Sequence, residues 1–247
     1  MATPVAAVLP AKDEADRIGA TIAAVRTIPG VDLVVVVDDG STDATAEVAS
    51  AAGAVVARHE RNRGKGAAMT TGAARVAEAE SAGQRAGTLV GGPRPLLFVD
   101  ADLEASAANL GVLVPPVAEG GADMTIAILP PQRTAGGGHG FVVRLARDGI
   151  ERLTGFRATQ PLSGMRCLSR DAFEAALPLA RGWGVETGLT VDVLRAGMRV
   201  EEVPCELHHR VTGRDWRGQL HRARQYRDVW LALRSRRRRG RRGRARG

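Results

Sequence analysis

Two apolar runs that break abruptly into acid organise the first half of the chain. Leu33-Val34-Val35-Val36-Val37 gives way to Asp38-Asp39-Gly40-Ser41-Thr42-Asp43, and Leu96-Leu97-Phe98-Val99 gives way to Asp100-Ala101-Asp102-Leu103-Glu104. Unbroken runs rich in β-branched residues predict strands covered on both faces, as in a parallel sheet flanked by helices. Val5–Leu9 and Val55–Arg58 predict two more strands. Between these strands the pattern predicts an amphipathic helix from about Ala15 to Val25 and a second, capped by Ser41 or Thr42, running to about Ala52. A glycine-punctuated turn, Arg61 to Gly66, opens an alanine-rich helix to about Ala82. Residues 83–95, with four glycines and two prolines, predict a surface loop before the fourth strand. Strand and helix in alternation predict a doubly wound α/β half.

The second half is less regular. Met124–Leu129 predicts a strand, and Pro130 to Gly140 a Gly/Pro-rich loop holding Arg133 and His139, either a lid or plain disorder. A helix from about Phe141 to Leu153 follows, then the segment Ser163-Gly164-Met165-Arg166-Cys167-Leu168. Glu186 falls near the start of a helix that continues through Asp192 to Arg195. Arg199–Glu206 alternates apolar and charged residues and closes the sheet, ending at His208-His209-Arg210. From about Trp216 one last helix is expected, with Trp216, Leu220, Tyr226, Val229, Trp230 and Leu233 on one side and arginines over much of the rest. That composition suits a helix lying in a membrane interface, or equally one packed on the body with its arginines in solvent.

Length allows one good-sized core, read as a catalytic domain over 1–213 with an amphipathic helix and arginine-rich tail over 214–247. No run of eighteen apolar residues predicts a membrane span, and no secretory signal is visible at the N-terminus, so a cytoplasmic protein is expected. Cys167 and Cys205 show no metal-type spacing and read as small buried thiols. The formal net charge is +8, but nine arginines and no acid lie within Arg234–Gly247, leaving the remainder near −1. Basicity therefore belongs to the tail, which is expected to hold the protein on the inner, anionic face of a membrane without binding any specific nucleic acid. Lys12 and Lys65 are the only lysines, and both fall inside the motif segments, which favours a role for each.

The acidic strand ends carry the candidate chemistry. Carboxylates at the ends of parallel strands sit in the crevice where open α/β sheets bind ligands, although they can also merely cap the next helix. Asp100 and Asp102, one residue apart, point the same way in extended chain. Such oxygen ligands suit Mg²⁺ or Mn²⁺ shared with substrate phosphates. Lys65, after its Gly-rich turn, suits a phosphate as a compact cation. Glu186 is a candidate general base, or a carboxylate favouring its helix N-terminus. Arg144, Arg157 and Arg166 are candidate partners of an acceptor phosphate, and His208 or His209 a late metal ligand.

The order Pro10-Ala11-Lys12-Asp13-Glu14, Val37-Asp38-Asp39-Gly40-Ser41-Thr42-Asp43, Asn62-Arg63-Gly64-Lys65-Gly66 and Asp100-Ala101-Asp102 resembles glycosyltransferase family 2. The likeness covers roughly residues 4–210 and is nearest to polyprenyl-phosphate sugar synthases of the dolichyl-phosphate mannose synthase type. Gly182-Trp183-Gly184-Val185-Glu186-Thr187-Gly188-Leu189 is also similar to glucosyl-3-phosphoglycerate synthases. The resemblance implies a GT-A fold, a Rossmann-like mixed sheet. It also implies an inverting, metal-dependent hexose transfer from a UDP- or GDP-linked sugar to polyprenyl phosphate, or to a small phosphorylated acid such as 3-phosphoglycerate. A binding protein on a degenerate transferase fold is the alternative of another class.

On that resemblance Pro10, Lys12 and Glu14 flank the base or ribose, although Asp13 stands where the family has Asn. Asp39 accepts from the base, while Lys65, Asp100 and Ala101 meet the diphosphate. Asp100, Asp102, Glu104 and His209 surround the metal, Glu104 standing where relatives often have Gln. Arg166, in a segment that resembles the family's Ser-Gly-Phe-Arg strand, joins Asp102 and Glu186 in catalysis.

Overall fold

The structure is a computed structural model that describes residues 3–86, 92–130, 140–207 and 216–244, with side chains along the last helix described over 223–237. Seven strands form one mixed sheet: β1 (Val5–Ala11), β2 (Val31–Asp38), β3 (Val55–Arg58), β4 (Leu96–Phe98), β5 (Met124–Ile128), β6 (Arg166–Leu168) and β7 (Val200–Pro204). Their order is β3-β2-β1-β4-β6-β5-β7. Only β6 runs antiparallel, between β4 and β5, while β5 and β7 pair in parallel. Strands β1 to β4 form the parallel, doubly wound half that the apolar runs predict, inside the mixed sheet that the resemblance implies.

Alternation along β1 builds both cores. Val5, Ala7 and Leu9 face one side, where they meet α1 (Ala15–Val25) and the tight helical segment Glu104–Leu113. Ala6 and Val8 face the other, against α3 (Lys65–Arg85). The helix α3 comes so near the sheet that a Cβ on Gly72 would lie 2.3 Å from a Val8 methyl. Strands buried on both sides need no polar alternation, which explains why their sequence is uniformly apolar. The remaining helices are α2 (Thr45–Ala51), α4 (Val114–Ala118), α5 (Gly140–Thr154), α6 (Arg170–Ala175), α7 (Val185–Arg195) and α8 (Trp216–Arg244). The short α4 and α6 carry no clear periodicity in the sequence. Cys167 and Cys205 are free and buried, and burial pushes their thiols up to about 12 and about 11.

The helix α8 packs on α5 and α7. Val229 and Leu233 enter a third apolar cluster with Val142, Ala146, Ile150 and Val191. Glycines on the body let the helix in: added Cβ atoms on Gly149 and Gly184 would lie 2.3 Å from Leu233 and 2.6 Å from the Asp228 carbonyl oxygen. Arg236, counted above with the basic tail, is 3% exposed, its Nε 2.9 Å from Asp192 Oδ2. Thus one arginine of the tail's first turn belongs to the core, while Arg234 and Arg237 stay exposed. Of the aromatic side expected of this helix, Tyr226 and Trp230 remain 46% and 41% exposed. They line an outer groove with Leu145, Leu153, Arg152, Arg234 and Arg237. Among the described residues no helix is long and apolar enough to cross a membrane.

Candidate active site

Because β1, β2 and β4 are parallel, the loops after Ala11, Asp38 and Phe98 leave the sheet at the same edge. The first two are laced together. The Asp13 amide donates to Ser41 Oγ at 2.9 Å, the Glu14 amide to Thr45 Oγ1 at 2.8 Å, and the Ala15 amide to Asp43 Oδ2 at 3.1 Å. Asp13 accepts from the Thr42 amide at 2.7 Å and from Lys12 Nζ at 2.8 Å. Lys12, first, and then the Thr42 amide hold its carboxyl down at about 2. Asp13 has φ 56°, a left-handed conformation that Asp tolerates better than most residues. That tolerance accounts for an Asp at the position where the resemblance has Asn. Lys12 is thereby engaged with the loop itself, and Glu14 pairs with Arg17 at 2.5 Å.

The acidic turn after β4 is fixed from beneath. Thr21 on α1, fully buried, donates to the Ala101 carbonyl at 2.9 Å and accepts from the Glu104 amide at 2.9 Å. Glu104 itself takes φ 48° and starts the tight helical segment. No group of three His, Cys, Asp or Glu side chains among the described residues is arranged to hold a metal. At Glu104 the backbone turns, which ends the extended alternation that its spacing from Asp100 and Asp102 assumed. His208 and His209 lie outside the described residues, as do Arg133 and His139. The carboxylates Asp100 and Asp102 remain the donors that fit a hard divalent cation.

Lys65, the first residue of α3, bridges the two halves of the fold. Its Nζ lies 2.7 Å from Asp100 Oδ1 and 3.3 Å from Glu186 Oε1. Burial opposes the charge on Lys65, but Asp100 and Glu186 outweigh that penalty and raise its pKa above the ordinary ammonium value. Gly164 covers the pair so closely that a Cβ there would lie 2.3 Å from Lys65 Nζ and 3.1 Å from Asp100 Oδ1. Glu186 is 8% exposed at the start of α7. A lysine between two carboxylates, opposite a bare backbone, is a place where an anionic ligand can exchange for carboxylate contacts.

Two expected residues sit differently. Asp39 is buried, and its oxygens accept from His59 Nδ1 at 2.7 Å, the Arg63 amide at 2.8 Å and the Gly64 amide at 2.7 Å. Its carboxylate thus holds the turn before Lys65. Arg166 has no exposed surface; it donates to the Ser163 carbonyl at 2.9 Å and to Thr190 Oγ1 at 2.7 Å. Burial lowers its pKa to about 10, against the pull of Glu186. The guanidinium is sealed from solvent, and Thr190, which accepts from it, donates its hydroxyl to the Glu186 carbonyl at 3.0 Å. Arg157 is exposed and pairs with Glu151 at 3.5 Å, and Arg144 lies over the Phe141 ring. His59, Thr21 and Gly164 are the contributors that the sequence reading passes over. Gly164 stands inside the quoted Ser-Gly-Met-Arg segment, a usable signal; His59 and Thr21 have none beyond their nearness to strand ends.

Comparison with known proteins agrees with this geometry. The family description "Glycosyl transferase family 2" matches residues 6–174. Glycosyltransferase AglJ of Haloferax volcanii is 30% identical over 224 residues, covering 87% of this chain and 67% of that protein. The uncharacterized protein MJ1222 of Methanocaldococcus jannaschii is 28% identical over 205 residues, covering 81% of this chain and 79% of its own. Crystal structures of glucosyl-3-phosphoglycerate synthase from Mycobacterium tuberculosis superpose over 95% of this chain at 27% identity. One, with Mn²⁺, UDP and phosphoglyceric acid, gives a TM-score of 0.72 over 78% of that chain. Another, with Mg²⁺ and UDP, gives 0.73 over 79%.

Proposed function

The chain belongs to glycosyltransferase family 2 and is a glycosyltransferase; from that premise we propose that it moves a hexose from a nucleotide sugar to a hydroxyl of a small phosphorylated acid. The convergence of Lys65, Asp100 and Glu186 carries this reading. Asp100 and Asp102 would hold Mg²⁺ or Mn²⁺, which supplies Lewis acidity to the departing diphosphate. Lys65 exchanges its carboxylate contacts for the diphosphate and balances charge as the bond to the anomeric carbon breaks. Pro10, Lys12 and Glu14, stitched to the Ser41–Thr45 loop, wall the nucleoside end, and the Ala101 backbone lies against the phosphates. A hydroxyl nucleophile needs a base, and Glu186 is the carboxylate placed for it; in-line attack inverts the anomeric centre. The sealing of Arg166 removes the best sequence candidate for greeting an acceptor that is itself the nucleophilic phosphate. Support also comes from the synthase that was crystallised with UDP and phosphoglyceric acid.

A second reading, transfer to polyprenyl phosphate at an anionic membrane surface, is favoured by one observation. Tyr226 and Trp230 stand exposed in the outer groove beside Arg152, Arg234 and Arg237, with the rest of the arginine tail beyond. The two readings separate in one assay: UDP- and GDP-hexoses with Mn²⁺, offered 3-phosphoglycerate in solution or polyprenyl phosphate in phosphatidylglycerol vesicles. Product from phosphoglycerate alone is the expected result. Product from the lipid alone, with sedimentation on the vesicles, overturns the first reading in favour of the second.

A further inference from the structure

One buried imidazole joins three segments beside the site, and the transferase reading leaves it without a role. His59 follows β3 directly and is 6% exposed. Its amide donates to the Asp38 carbonyl at 2.9 Å, which ties it to the end of β2. Its Nδ1 lies 2.7 Å from Asp39 Oδ1 and its Nε2 lies 2.9 Å from Thr71 Oγ1 on α3. A carboxylate at Nδ1 calls for a proton there, which leaves Nε2 to accept from the threonine hydroxyl. The imidazole therefore stands as a strut between Asp39 and the second turn of the helix that Lys65 begins.

What Asp39 does with its remaining capacity gives the strut a purpose. The other acceptor sites of this carboxylate take the amides of Arg63 and Gly64, the two residues just before Lys65. Gly64 has φ 87°, so the turn enters α3 through a left-handed step that the helix alone would not select. Gly40 presses on the same turn, where an added Cβ would meet the Arg61 carbonyl carbon at 2.6 Å. A buried carboxylate with three donors has one satisfied orientation; without the imidazole it is one donor short and free to rotate. Lys65 is the first residue past that turn, and its long side chain multiplies any backbone movement at the phosphate.

We infer that His59 is a positioning residue: through Asp39 it holds the Arg63–Gly64 turn, and so places Lys65 for the diphosphate of the donor. The inference rests on the reading that Lys65 meets that diphosphate. It requires that loss of His59 weakens binding of the nucleotide more than it slows the transferred sugar once bound.

The test compares His59→Leu, His59→Asn and Thr71→Val with the wild type in the full-length protein. Amide exchange, followed by mass spectrometry without nucleotide, should accelerate at least tenfold at Arg63 and Gly64 in His59→Leu while α7 keeps its protection. Titration with UDP or GDP in Mn²⁺ should show roughly tenfold weaker binding, with donor KM rising and kcat changing less. The amide of His59→Asn, which can still donate to Asp39, should restore most of both quantities, and Thr71→Val should fall between. Unchanged exchange and affinity in His59→Leu overturns the inference. Equal losses in His59→Leu and His59→Asn, accompanied by general loss of protection, overturn it too, since they reduce His59 to a filler of the core. Should the wild type bind neither nucleotide, the transferase reading fails, and the exchange data alone still decide whether His59 holds the turn.

Discussion

The half of the molecule before Gly111 and the half after it build their shares of the site by different means. In the first half each functional residue follows the end of a parallel strand within a few positions, and short-range loop bonds such as Asp13 to Thr42 hold it there. In the second half Gly164 and Glu186 reach the site only because helices and one reversed strand pack around them. The first half is written in local motifs and the second in packing. Chemistry written locally can be deleted without unfolding the chain, whereas chemistry delivered by packing fails together with the packing.

The sharpest way to test that contrast is Asp102→Asn. This change on an open loop removes a carboxylate proposed for the metal, and transfer should fall on the order of a thousandfold with the unfolding midpoint unchanged. Rates in Mn²⁺ and in EDTA, set beside a denaturant melt, check it; wild-type turnover would break the local half of the comparison.

Arg236→Ala should do the reverse. It removes the buried guanidinium that pairs with the partly buried Asp192 and ties α8 to α7. Removing one member of a buried ion pair costs about 3 kcal/mol of stability, read in urea or guanidinium, while kcat/KM below the transition stays near wild type. A variant as stable as the wild type would mean that α8 is not part of the fold's foundation.

Gly164→Ala probes the seam between the halves. A methyl group in the space held by Lys65 Nζ must displace the lysine or lift the backbone. Misplacement by about 1 Å costs on the order of a hundredfold in rate, with a smaller change in melting temperature. Full activity would show that the two halves meet more loosely than the 3.3 Å Lys65–Glu186 contact indicates.

The same division governs what was legible in the chain. The strands β1 to β4 and the carboxylates beyond them follow from apolar runs, because burial on both faces leaves no other composition. Asp39 was legible as important but not in its duty, since nothing local says that Arg63 and Gly64 will fold back onto it. The last helix was legible as a helix. Its inner side was not, because a pattern reader counts arginine as polar surface, yet Arg236 is buried by pairing with a residue 44 positions earlier. At Glu104 the spacing presumes extended chain, whereas the backbone turns there.

The reversed strand has a consequence for synthesis on the ribosome. In the finished sheet Met124–Ile128 has only β6 and β7 as neighbours, and both are made after it. The nascent chain therefore carries an apolar strand with both edges bare until Arg166–Leu168 emerges, roughly 40 residues later, which at ordinary elongation rates is about 2–8 seconds. Strands β1 to β4 can already be paired by then. The growing chain thus spends those seconds as a four-stranded sheet with an unsatisfied ribbon beside it, the period in which a nascent-chain chaperone has most to protect.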